Sequence, residues 1–74
     1  MNFLYQIVTS SYVYTLYDED THFLLHVLNL KNEESTDICT INEILDVLHE
    51  DTEVSFDDII GVEDVITTVL ISEE

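Results

Sequence analysis

The sequence predicts an α+β fold in a single small domain spanning residues 1–74, with the element order β-β-β-α-α-β and an antiparallel sheet carrying its helices on one face. Three observations lead there. Stretches near both ends of the chain are dense in the β-branched and aromatic residues that suit a pleated surface. Between them, Ile41, Ile44, Leu45 and Leu48 recur at i, i+3, i+4 and i+7, which places them on one stripe of a 3.6-residue helix. Ile, Leu, Val and Phe make up 28 of the 74 residues, enough for a packed core despite heavy charge.

Phe3 to Val8 and Tyr12 to Tyr17 read as the first two strands, with Thr9, Ser10 and Ser11 turning between them. Asp18 to Thr21 forms a second polar turn, and His22 to Leu30 reads as the third strand, completing a meander. Lys31 to Asp37 has no periodicity and reads as a polar connection. Thr40 precedes the apolar stripe with Glu43 three residues on, the spacing of a capping box, so a helix begins there and ends near Glu50. Ser55 with Asp58 repeats that spacing and predicts a short helical turn over Phe56 to Ile60. Gly61, the single glycine, suits a left-handed position after it. Val65 to Ile71 (VITTVLI) is β-branched nearly throughout and reads as a fourth strand.

The charge is more unusual than the fold. Seventeen Asp and Glu stand against one basic residue, Lys31, for a formal charge of −16. A field of that sign repels nucleic acid and anionic membranes and draws in basic proteins, so a cationic protein is the expected partner. Residues 1 to 17 carry no charged side chain, which makes the first hairpin a candidate homodimer surface. The N-terminal stretch lacks the basic start of a signal peptide, no apolar run approaches membrane-spanning length, and Cys39 has no second cysteine to pair with. A soluble protein of a reducing bacterial cytoplasm is expected.

No catalytic residue, cofactor or metal site is predicted. Carboxylates are everywhere rather than paired in contrasting environments, and there is no Gly-rich phosphate loop or nucleophile motif. Cys39 reads as a small buried hydrophobe. His22 and His26, read as lying on one strand, stand too far apart to share a metal. The tyrosines at 5, 12, 14 and 17 read as cross-strand packing, because stacking nucleic-acid bases requires a basic groove as well.

The acidic residues of the helical half are the candidate site. Glu43, Asp46 and Glu50 follow one another on the face opposite the apolar stripe at steps of roughly 5–6 Å. The run continues through Asp51, Glu53, Asp57, Asp58, Glu63 and Asp64 with no Lys or Arg among them. Asp46 and Glu50 repel one another at i, i+4, and −16 exceeds the net charge of about 2–8 that keeps a small domain soluble. In size, in its near lack of Lys and Arg, and in this run, the chain resembles the small acidic DNA-mimic proteins that phages and mobile elements encode. The resemblance implies an inhibitor whose carboxylates stand in for phosphates on the DNA-binding surface of a host protein: a nucleoid HU-like protein, a restriction enzyme, a CRISPR effector or a DNA-repair enzyme. The alternative is an acidic interaction module that binds a basic partner outside any DNA site.

Overall fold

A computed structural model describes residues 2–72. Four strands precede two helices: β1 (Asn2–Val8), β2 (Tyr12–Asp18), β3 (Phe23–Asn29), β4 (Ser35–Ile38), α1 (Ile41–Glu50) and α2 (Phe56–Ser72). The strands form one antiparallel sheet in the order β1-β2-β3-β4, so each pairs with its neighbour in sequence. The fold is α+β, as the sequence predicts, but the order is β-β-β-β-α-α.

Both differences in the order have a physical cause. Lys31 to Asp37 is a tight turn followed by β4 rather than a plain connection. Asn29 closes the turn by accepting the Lys31 amide, Asn32 accepts the Glu34 amide, and Glu33 takes a left-handed φ of 60°. β4 then pairs through Leu25↔Ile38 and His26↔Asp37; as a short polar edge strand it buries too little to leave a hydrophobic signature. Val65 to Ile71 is not a strand but the second half of α2. Ile59, Val62 and Ile66 are buried and Val69 packs against them, an i, i+3, i+7, i+10 series that continues one stripe of the helix. Burial of that stripe outweighs the weak strand preference of its β-branched residues. Phe56 to Ile60 is thus only the first turn of a 17-residue helix. Gly61 lies inside it without positive φ, because the aromatic ring of Tyr5 occupies the place a side chain would take.

The helix starts differ from their signatures. Thr40 has extended backbone and its carbonyl accepts the first helical bond from Ile44, yet its side chain makes no cap, so the box with Glu43 does not form. Ser55 does cap α2, its Oγ accepting the Asp58 amide at 3.1 Å, while the Asp58 carboxylate turns away to Tyr5. His22 falls in the turn before β3 rather than in the strand, and Cys39 is exposed rather than buried.

Strand register sorts the sheet into two faces. Tyr5, Ile7, Tyr14, Leu16, Phe23 and Leu25 share the inner face and meet Ile44 and Leu48 of α1, Val54 of the interhelical loop, and Ile59, Val62 and Ile66 of α2. Phe3, Val8, Val13, Tyr17, Leu24 and Leu28 share the other face and lie outside this core. The helices therefore cover one side of the sheet and leave the other open, as an antiparallel sheet allows. No helix among the described residues is long and apolar enough to cross a membrane.

Candidate interaction surface

The nine predicted site residues divide by what their carboxylates touch. Three are tied to the sheet. Asp58 accepts the Tyr5 hydroxyl at 3.0 Å, Asp51 accepts the Tyr14 hydroxyl at 2.5 Å, and Glu53 accepts the Ser10 hydroxyl at 2.6 and 2.7 Å. Each tie joins the first hairpin to the chain around or after α1, so these acids hold the helical layer to the sheet. The tyrosines register the contact: the Asp58 hydrogen bond above all, then burial and the charges of Asp58 and Asp57, hold the Tyr5 phenol above its ordinary pKa. Burial first, then the Asp51 hydrogen bond and the neighbouring charges of Asp51, Tyr12 and Glu53, push the Tyr14 phenol far up.

The other six acids are exposed and have no hydrogen-bond or ion-pair partner among the described residues: Glu43, Asp46 and Glu50 on α1, and Asp57, Glu63 and Asp64 on α2. The run predicted from sequence is therefore two strips separated by the structural acids. Glu43, Asp46 and Glu50 fall on one side of α1 over about 10 Å of its axis, and Asp57 and Asp64, seven apart, share one side of α2. Helix-end electrostatics accounts for part of this, since Glu43 and Asp57 sit in first turns where the helix dipole favours anions. The dipole opposes Glu50 in the last turn of α1 and offers nothing to Asp46, Glu63 or Asp64.

Beside the end of the α1 strip lies a cleft of about 470 Å³ that the sequence did not single out. Val27, Ile38 and Val47 line its apolar part, the rings of Tyr12 and Tyr14 stand 5.8 Å apart along it, and Glu50, Asp51 and Glu53 line it with charge. An apolar and aromatic wall with carboxylates beside it suits the aliphatic stem and charged head of an arginine or lysine side chain. Its residues come from β2, β3, β4, α1 and the loop that follows α1, so no local motif announces it.

No protein-family model, curated protein or solved structure matches this chain.

Proposed function

We propose that the protein is an inhibitor that presents its helical carboxylates to the DNA-binding surface of a basic host protein. The observation that carries this reading is the set of six exposed acids on α1 and α2, unpaired among the described residues, in a chain with one basic residue. A DNA-binding surface is first a cationic surface evolved to gather phosphates and release their counterions, and carboxylates held outward on helices compete for the same sites. Spacing sets a condition. The α1 strip carries one charge per about 5 Å of axis, sparser than the 3.4 Å repeat of a single DNA strand, so the likeness requires both helices together.

The cleft beside Tyr12 and Tyr14 favours a second reading, an acidic module that anchors one basic side chain of a partner outside any DNA site. Competition separates the two. The immobilised protein is exposed to a bacterial lysate at low and high salt and eluted with duplex DNA. An inhibitor retains a DNA-binding protein at low salt and loses it to DNA; retention that DNA leaves untouched favours the anchoring module. Changing Glu43, Asp46 and Glu50 to Gln removes three charges, as does changing Asp18, Glu19 and Asp20 to Asn, Gln and Asn. The helix variant loses retention and flattens the dependence of binding on salt, whereas the turn variant keeps retention and loses mainly association rate. Equal losses from both reduce the surface to net charge and remove the mimic reading.

A further inference from the structure

We infer that the cleft at the end of α1 is an arginine pocket, which takes one arginine side chain of a protein partner and discriminates it from lysine. This deepens the anchoring reading by naming the side chain, and it rests on the partner being basic rather than on its binding DNA.

The floor of the cleft is sheet. Tyr12, Val27 and Ile38 line it and are half-buried, whereas the Tyr14 ring belongs to the core at 3 % exposure. The two rings are tilted by 31° with centroids 5.8 Å apart, so they continue one wall and do not close into a cage. A cage of rings is what a quaternary or methylated ammonium needs. One accessible ring beside aliphatic side chains is instead a platform for a flat group. Guanidinium is flat, weakly hydrated and stacks on aromatic rings, whereas the compact ammonium of lysine holds its water.

Beside this platform two carboxylates are fixed before any ligand arrives. Asp51 accepts the Tyr14 hydroxyl through Oδ2 and the Glu53 amide through Oδ1, and Glu53 accepts the Ser10 hydroxyl. An ionised carboxylate offers about four acceptor sites, so both keep capacity for guanidinium donors, with rotamer freedom already lost in folding. Glu50 adds a third carboxylate, without a partner among the described residues. The end of α1 adds negative potential to the same place. The Glu53 amide goes to the Asp51 carboxylate and the Val54 amide to the Asp51 carbonyl, so neither turns back to the carbonyls that end the helix. Among the described residues nothing basic lines the cleft: neither His49, in the last turn of α1, nor Lys31 reaches it. The complement of these parts is one side chain, an apolar stem that ends in a planar cation with a fork of donors. A volume of about 470 Å³ gives room for that side chain and the backbone that carries it.

Titration of the isotope-labelled chain with N-acetyl-arginine amide and with N-acetyl-lysine amide, followed by NMR in about 0.15 M salt, tests this. The arginine probe shifts the amides of Tyr12 and of Asp51 to Glu53 with a Kd of about a millimolar, the range for so small a ligand, and the lysine probe binds at least about tenfold more weakly. Tyr12→Phe keeps arginine binding, because the ring remains. Tyr12→Leu and Glu50→Gln each weaken it at least about fivefold. Glu19→Gln, one charge removed at the far end of β2, leaves it unchanged. Glu50 is exposed and makes no contact that holds the fold, so its variant answers the question if Tyr12→Leu does not fold. Equal affinity for the two probes, equal losses from Glu50→Gln and Glu19→Gln, or no saturable shift from the arginine probe overturns the inference. Neither DNA nor a host protein enters this titration, so its failure leaves the inhibitor reading to the capture experiment, and failure of DNA to compete there leaves the pocket standing.

Discussion

Replacing Gly61 by Ala tests the packing of β1 against α2, because two effects of known sign oppose each other there. Alanine is favoured over glycine in a helix interior by about 0.8–1.0 kcal/mol, so propensity alone predicts stabilisation. The structure predicts the reverse. A Cβ at residue 61 would lie 2.7 Å from the Tyr5 hydroxyl oxygen, 2.9 Å from Cζ and 3.0 Å from Cε2. The ring is rigid and cannot yield at its tip alone. To make room, Tyr5 has to leave the helix and release its hydrogen bond to Asp58, an interaction with a charged acceptor worth about 1.5–3 kcal/mol. Overfilling a packed contact costs a further 1–3 kcal/mol, roughly, before relaxation. With part of this recovered by movement of the half-buried ring, the net effect is a loss of about 1–2 kcal/mol, or roughly 5–15 °C in Tm for a domain of this size. Thermal melts followed by circular dichroism measure it, and a second background makes the sign decisive. In Tyr5→Val the ring is gone, and Gly61→Ala then raises Tm by the propensity gain of about 1 kcal/mol. Stabilisation by Gly61→Ala in the wild-type background would mean that Tyr5 does not seat against the helix as described.

Alkaline stability follows from Tyr14. Its phenol holds its proton more tightly in the folded chain than in the unfolded one, where release occurs at about pH 10. Below that pH the contribution is intact; above it the unfolded chain binds fewer protons than the folded one, so stability falls as pH rises through and beyond 10. Denaturant midpoints taken upward from pH 8 should decline, and Tyr14→Phe should decline less steeply from a lower starting value; parallel curves would refute the assignment. Salt tests the surface charge: at pH 7 Tm should rise as NaCl goes from about 0.02 to 0.5 M, which shortens the screening length severalfold, and a flat response would mean the exposed carboxylates of the chain do not repel one another appreciably.

The sequence made some elements legible and concealed others for identifiable reasons. The first two strands and α1 carry clear local patterns, whereas His22 to Leu30 is an apolar run whose length only slightly favours a strand over a buried helix; α1 runs from Ile41 to Glu50 as the Ile41, Ile44, Leu45, Leu48 spacing predicts. α2 was concealed by its composition: Val65, Ile66, Thr67, Thr68 and Val69 weigh toward a strand residue by residue. The stripe Ile59, Val62, Ile66, Val69 discloses the helix only when read across Gly61. That glycine looked like a terminus because its reason for being glycine, Tyr5, lies 56 positions away. The acidic run was visible as charge, but its division was not. Asp51, Glu53 and Asp58 are structural because Tyr14, Ser10 and Tyr5 reach them across the fold, and no spacing in the sequence encodes those meetings.

Those three ties also bear on the order in which the chain assembles. Every strand pairing joins sequence neighbours, so the meander needs only short loops to close and can form early. The links from Tyr5, Ser10 and Tyr14 to Asp58, Glu53 and Asp51 span 53, 43 and 37 residues. They can form only when the helices dock on a sheet that already exists. Contacts of such long sequence separation are expected to have low φ-values, so that Tyr5→Phe, Ser10→Ala and Tyr14→Phe should speed unfolding more than they slow folding. The carboxylates of the loop and of the start of α2 thus act as latches: the negative charge that burdens compaction supplies, at three positions, the acceptors that keep the closed molecule shut.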